Sequence, residues 1–262
     1  MRRPWLLFTD LDGTLLDARD FTCVPARPTL RRLHEREVTI VPVTSKTLAE
    51  VVPLSEELGL EGPMVVESGG AIARRDGTGW SIAGRGLMAG RIEELVPEIE
   101  RRCGARLNLF SRMAEADAVR LSGLHGAALD LARRRQFDVP FTTDAPIEAV
   151  AAAAAALGLT VQSGGRFHHL CGRCGKAEAV REIVAEATRR LERTPLVIAL
   201  GDSAMDAEFV ALADVRIAVP RPDGSVDPVL AAIPLVQIAP APGPEGWSAA
   251  VDALLDNDGV SS

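Results

Sequence analysis

Hydrophobic and polar positions along the chain fall into two regimes. The first element, Trp5-Leu-Leu-Phe-Thr9, is an unbroken apolar run of strand length ending at Asp10. Unbroken rather than alternating pattern suits a central parallel strand covered on both faces. A helical stretch over 26–37 follows, then a second buried run over 38–43 ending at Thr44, a helix over 47–58, and a third strand over 63–67 opening onto Ser68-Gly69-Gly70. Strands alternating with helices predict right-handed βαβ units in a doubly wound sheet. From about residue 84 to 170 the rhythm changes to amphipathic helices over 92–102, 114–121, 126–135 and 147–157, with short strand candidates over 105–110 and 166–170. The first regime then returns as a helix over 177–193, a buried strand over 196–200 leading into Gly201-Asp202, and a strand over 215–219. The expected fold class is α/β: a Rossmann-like parallel-sheet core from 1–83 and 172–262, interrupted by an inserted α+β domain over 84–171. Residues 256–262 read as disordered.

Composition narrows the partners. The 262 residues leave room for one large or two modest domains. With 29 basic against 36 acidic residues the net charge is −7, which argues against wrapping nucleic acid or lying on an anionic membrane. No apolar run approaches the ~20 residues a spanning helix needs, and the amino-terminal apolar stretch is too short for a signal peptide. The expectation is a cytoplasmic protein, a monomer or small homo-oligomer. Cys23, Cys103, Cys171 and Cys174 are too few and too scattered for a disulfide framework, so the Cys171-Gly-Arg-Cys174 pair reads as reduced thiols at the end of a strand. Arginine has replaced lysine almost everywhere: only Lys46 and Lys176 remain among the 29 basic residues. That marks both for work a guanidinium cannot do, such as placing a compact ammonium against a phosphoryl oxygen.

Candidate chemistry gathers where the buried strands end. In Phe8-Thr-Asp-Leu-Asp-Gly-Thr14 two carboxylates lie two residues apart, at the carboxyl edge where open α/β sheets bind ligands. Strand alternation would put Asp10 and Asp12 on one side, and such a pair calls for a counter-charge, naturally Mg²⁺ with its oxygen ligands. Gly13 permits a sharp turn there. Thr44 ends the second strand, Asp202 and Asp206 follow the strand over 196–200, and Lys176 opens a helix. Together they make a set for phosphoryl transfer: Asp10 as nucleophile, Asp12 as acid and base, and Mg²⁺, Lys176 and Thr44 against the phosphoryl oxygens.

FTDLDGTLLD, Thr44, Lys176 and ALGDSAMD resemble the four motifs of the haloacid dehalogenase-like phosphatases, and an insertion after the third strand resembles that superfamily's class-two caps. The resemblance implies a Rossmann-like core, Mg²⁺ held by Asp10, Asp12, Asp202 and Asp206, and catalysis by Asp10, Asp12, Thr44 and Lys176. Segments 41–47 with Glu50, 67–72, 164–168 and 240–247 are similar to the mannosyl-3-phosphoglycerate phosphatases, which release mannosylglycerate. That narrower resemblance implies a small anionic phosphorylated substrate contacted by Ser45, Lys46, Thr47, Arg166 and His168, with Arg135 also suited to its anionic groups. Another small sugar phosphate, or a glycosyl-phosphoglycerate such as glucosyl-3-phosphoglycerate, is the alternative. Ser68, Gln136, Gly175 and Met205 stand where that family's pattern has Asn, Glu, Asp and Asn.

Other functional classes fit less well. A phospho-accepting switch also groups Asp, Thr and Lys around a parallel sheet, but it needs neither the acid/base carboxylate Asp12 nor an inserted domain. A catalytically dead binding module would be expected to have lost Asp10 or Asp12, and both are present. Nothing in the sequence supports a phosphomutase.

Overall fold

The computed structural model describes residues 3–77 and 79–260. The elements in chain order begin with β1 (Trp5–Thr9), α1 (Arg27–Glu35), β2 (Thr39–Pro42), α2 (Leu48–Leu58) and β3 (Met64–Val66). A hairpin of β4 (Ala71–Asp76) and β5 (Gly79–Gly84) follows, then α3 (Ala89–Cys103), β6 (Asn108–Leu109), α4 (Glu115–Ser122) and α5 (Ala127–Ala132). Next come β7 (Asp138–Thr142), α6 (Ile147–Ala155), β8 (Thr160–Ser163), β9 (His168–Cys171) and α7 (Lys176–Leu191). The chain ends through β10 (Leu196–Gly201), α8 (Ala207–Ala211), β11 (Val215–Ala218), α9 (Pro228–Ala231), β12 (Gln237–Ile238) and α10 (Gly243–Val260). Among the described residues no helix is long and apolar enough to cross a membrane.

Two compact units emerge. The first comprises Met1–Thr44, Ser55–Met64 and Lys176–Ser262. Its sheet has the order β12-β11-β10-β1-β2, and every pairing in it is parallel. β1 lies between β10 and β2, and Leu6, Leu7, Phe8 and Thr9 are all buried. The unbroken apolar run of the sequence is thus the strand with neighbours on both edges and cover on both faces. This is the predicted parallel-sheet α/β core.

The second unit comprises Ser45–Leu54 and Val65–Gly175. It takes in 45–54 and 65–83, which the linear reading placed with the core. Its four-stranded sheet runs β6-β7-β9-β8, with antiparallel pairing throughout. Ile92, Val96 and Ile99 of α3, Val150 and Ala154 of α6, and Val139, Phe141 and Leu170 of the sheet form one buried cluster. Their helical spacing and strand alternation mark one face of each element.

Several elements differ from expectation for identifiable reasons. The strand expected over 105–110 is reduced to Asn108–Leu109. β7 carries Pro140, a residue that argues against a central strand; but β6 stops opposite Phe141, so Pro140 pairs with His169 alone. The β4–β5 hairpin went unread because β5 is mostly exposed and lacks an apolar run; the third strand, β3, joins it in a three-stranded sheet. Residues 256–260, expected to be disordered, complete α10, while 261–262 lie outside the described residues. The Gly-Pro-rich start of α10 reads as loop, yet proline is at home in a helix's first turn, where its missing N–H costs nothing.

Truncating Phe141, fully buried in the second unit's core, should cost about 3–5 kcal/mol. Denaturant unfolding of Phe141→Ala measures this, and a loss below about 1 kcal/mol would mean that the cluster collapses around the gap.

Candidate functional site

In the first unit, adjacent strands bring the predicted chemistry to one sheet edge. Asp10 follows β1, its N–H bonded to the Leu200 carbonyl of β10 at 3.0 Å. Thr44 lies two residues beyond β2 and is buried, and the neighbouring Val43 N–H donates to the Thr9 carbonyl at 2.8 Å. Asp202 follows β10 directly. β1 stops at Thr9, so strand alternation does not reach Asp12. A tight turn places that residue instead, closed by Gly13 N to Leu16 O at 2.8 Å and Thr14 N to Leu11 O at 3.1 Å. Asp12 is half-buried.

Lys176, the first residue of α7, is buried with its ammonium between two carboxylates: Nζ donates to Asp10 Oδ1 at 2.8 Å and to Asp206 Oδ1 at 2.6 Å. Burial alone would lower its pKa, but Asp10 and Asp206 outweigh burial and hold the ammonium above its ordinary value. Asp206 spends its other oxygen on the backbone N–H groups of Asp202 and Ser203, at 3.2 and 3.1 Å, and on the Ser203 hydroxyl at 3.0 Å. It braces the loop that carries Asp202.

Gly13 has φ +87°, the left-handed region open to glycine. A Cβ built there would lie 2.7 Å from Asp202 Oδ2. Only glycine lets the turn close over that carboxylate, whose Oδ1 accepts from the Thr14 hydroxyl at 3.3 Å.

One ligand oxygen each from Asp10, Asp202 and Asp206 lie within 4.8 Å of one another. Asp12, also expected to hold metal, is not part of this trio. Burial pushes Asp10 well above its ordinary value of 3.8, opposed by Lys176 and reinforced by Asp206 and Asp202. Burial and then Asp206 push Asp202 up to about 7. One ammonium does not neutralise three carboxylates, so the cluster takes up protons unless another cation enters. An all-oxygen donor set short of positive charge fits Mg²⁺.

The second unit holds a buried polar cluster that the sequence did not anticipate. Arg135 donates from both Nη atoms to the Ser45 carbonyl at 2.9 Å, and from Nη1 to Asp138 Oδ1 at 2.5 Å. Asp138 Oδ2 lies 2.7 Å from His169 Nδ1 and accepts from the Ser68 hydroxyl at 3.3 Å. Glu67 is fully buried, and its Oε2 accepts from three successive backbone N–H groups, Gln136 at 2.8 Å, Phe137 at 2.7 Å and Asp138 at 3.2 Å. The Glu67 N–H donates to the Lys46 carbonyl at 2.9 Å, and the Thr47 hydroxyl donates to Leu131 O at 2.9 Å.

The predicted substrate-contacting residues Ser45, Lys46 and Thr47 therefore hang on this unit from three sides. Lys46 lies 3.7 Å from Glu50. Arg135, expected to face an anion, is committed internally. Arg166 is exposed and donates to the Ser122 carbonyl. His168 meets the Ser163 hydroxyl at 2.9 Å, and its ring lies 5.5 Å from that of Phe141. Segments 41–47 with Glu50 and 67–72, which carry part of the narrower resemblance, were thus the available signal for the cluster; their convergence with Arg135, Asp138 and His169 was not readable from spacing.

Burial, then the nearby Asp138 carboxylate, raises Glu67 from its ordinary 4.5 to about 7, against Arg135 and the three N–H donors. Asp138 goes the other way: burial would raise it, but Arg135 and His169 hold it below its ordinary value. The folded protein thus keeps the Glu67 proton to about pH 7, whereas an unfolded chain sheds it near 4.5. Stability contributed by this group is full at low pH and declines as pH rises through that window. Asp10 and Asp202 share the direction, so Glu67→Gln should flatten the fall in melting temperature between pH 5 and 8 only in part. Thermal scans across that range test this, and an unchanged slope would exclude Glu67 as a contributor.

The profile of the haloacid dehalogenase-like hydrolases matches residues 7–113. A glucosyl-3-phosphoglycerate/mannosyl-3-phosphoglycerate phosphatase of Methanococcoides burtonii is 30% identical over 266 residues, covering 95% of this chain and 97% of that protein. The enzyme of the same name from Persephonella marina is 30% identical over 265 residues, with 96% and 97% covered. Among solved structures, a phosphatase of the haloalkanoate enzyme superfamily from Bacteroides thetaiotaomicron shares the fold, with a TM-score of 0.69 at 17% identity and 97% and 95% of the two chains covered. The chain belongs to the haloacid dehalogenase-like phosphatases and is related to the glucosyl-3-phosphoglycerate/mannosyl-3-phosphoglycerate phosphatases.

Proposed function

We propose that the protein is a Mg²⁺-dependent phosphomonoester hydrolase working through an aspartyl-phosphate on Asp10. The observation that carries this reading is the buried ammonium of Lys176 between Asp10 and Asp206 at 2.8 and 2.6 Å, beside a carboxylate trio short of positive charge. An Asp10 carboxylate oxygen attacks phosphorus and the bond to the substrate's alcohol oxygen breaks. Asp12, half-buried on the adjoining turn, gives its proton to the leaving oxygen. It then takes a proton from water as that water attacks the phosphorus, freeing phosphate and restoring Asp10. Lys176 opposes the burial that raises the Asp10 pKa, and with Thr44 it stabilises charge growing on the phosphoryl oxygens. When bound by Asp10 and Asp202, with Asp206 and Asp12 in support, Mg²⁺ supplies the remaining positive charge on those oxygens.

Mannosyl-3-phosphoglycerate is the substrate we assign, with glucosyl-3-phosphoglycerate or another small sugar phosphate as the second reading. The relatives' names support both glycosyl-phosphoglycerates. Ser45, Lys46, Thr47, Arg166 and His168 are the residues we assign to the rest of the substrate. Arg135 is left out of that set because its guanidinium is already engaged. The protein is expected to act in the cytoplasm as a monomer or small oligomer.

Phosphate release from a panel of small phosphomonoesters, with and without chelator, tests the reading. Chelator should abolish turnover and Mg²⁺ restore it. Asp10→Asn should retain less than about one per cent of the rate. Lys176→Arg should lose about a hundredfold or more, because the longer fork does not fit an ammonium-sized site. Selectivity for a glycosyl-3-phosphoglycerate of about a hundredfold would support the substrate. Uniform weak turnover would leave the chemistry standing and move the substrate elsewhere.

A further inference from the structure

Trp247 lies five residues into the carboxyl-terminal helix α10 and far along the chain from the site, yet it is among the largest fully buried side chains of the protein. Its indole Nε1–H donates to the Thr9 hydroxyl at 3.0 Å. The Thr9 hydroxyl in turn donates to the main-chain carbonyl of Asp10 at 2.7 Å. Every residue in this chain of contacts belongs to the first unit.

The chemistry of the groups fixes the direction of both bonds. An indole N–H donates and never accepts, whereas a hydroxyl has one proton and two lone pairs. With Trp247 filling a lone pair, the single Thr9 proton is free for the Asp10 carbonyl. That carbonyl needs a donor: β1 ends at Thr9, so the Asp10 peptide leaves the ladder while still buried, and a buried carbonyl without a partner costs about 1–3 kcal/mol. The backbone on either side is held as well, through Asp10 N to Leu200 O at 3.0 Å and Thr9 O from Val43 N at 2.8 Å.

The segment that delivers Trp247 is built for this approach. A Cβ on Gly246 would lie 1.6 Å from the Ala241 carbonyl oxygen, so the turn over 241–246 closes only around glycine. The sequence singled out Pro240-Ala-Pro-Gly-Pro-Glu-Gly-Trp247, and neither the phosphoryl chemistry nor the metal-binding carboxylates make use of it.

We propose that Trp247 is a positioning residue for the nucleophile. By orienting the Thr9 hydroxyl it fixes the Asp10–Leu11 peptide plane, and with it the direction in which the Asp10 carboxylate is presented. This rests on Asp10 being the nucleophile. Trp247→Phe keeps the aromatic packing and deletes the N–H; Thr9→Val keeps the shape and deletes the hydroxyl; Thr9→Ser keeps the hydroxyl.

Expected results are a fall in kcat of about tenfold for Trp247→Phe and for Thr9→Val with KM within about twofold. The double variant should be no slower than the slower single one, because both changes break one relay. Thr9→Ser should recover most of the rate. In the parent protein the Trp247 indole proton should exchange slowly with solvent, and in Thr9→Val it should exchange faster. A purely structural role would lower melting temperatures and leave kcat alone. Folded Trp247→Phe and Thr9→Val with kcat within about twofold of the parent would overturn the inference while the phosphatase reading stands. A parent protein without phosphatase turnover would overturn that reading, and the inference with it.

Discussion

Everything at the sheet edge depends on one electrostatic constraint. Three carboxylates, from Asp10, Asp202 and Asp206, offer oxygens within 4.8 Å of one another, and one buried ammonium stands against them. Ion pairing inside a protein is favourable only when geometry is close and the remaining oxygens are satisfied. Asp206 meets that condition with Lys176 on one oxygen and three N–H or O–H donors on the other. Asp10 and Asp202 do not, and their raised pKa values record the shortage. A site so arranged is short of positive charge unless a further cation joins Lys176. The parallel register of β1, β2 and β10 is what brings these groups together at all.

The second unit solves a different problem with the same materials. Arg135, Asp138, Glu67 and His169 bury their polar atoms against one another and against the backbone of residues 45–46 and 136–138. Charges hidden in this way contribute little net stability, but removing one partner leaves the others exposed to a low dielectric and costs about 3–5 kcal/mol. Such a network therefore specifies a conformation more than it strengthens one. Glu67 and Ser68 both adopt positive φ, 48° and 59°, a backbone that non-glycine residues hold only when their surroundings insist on it. The donors and acceptors around Glu67 are those surroundings.

How much of this could be read from sequence depended on whether a feature was local. Trp5–Thr9 announces itself as a central strand because all its apolar residues are consecutive, and Asp10, Asp202 and Lys176 stand at the ends of elements that simple periodicity finds. Asp12 was found for an incomplete reason, since a turn rather than strand alternation sets its place. The second unit was harder. Pro140 disguised β7 and exposure disguised β5, while in the first unit a Gly-Pro opening disguised α10. Contacts such as Arg135 to Ser45 or Trp247 to Thr9 join residues 90 and 238 positions apart. No local pattern encodes a pairing of that kind; only the folded chain displays it.

The Arg135 clasp on the Ser45 carbonyl sets the terms on which this protein can be recombined with its relatives. A chimera that exchanges only the visibly inserted segment, cut near 84 and 172, would import a foreign loop to meet a resident Ser45. It would also part Glu67 from the three backbone N–H groups its carboxylate is matched to. Crossovers at 44/45, 54/55, 64/65 and 175/176 follow the compact units instead, and carry each clasp with both of its halves. The module that evolution or an engineer can trade intact is therefore discontinuous in sequence, and it starts one residue after Thr44.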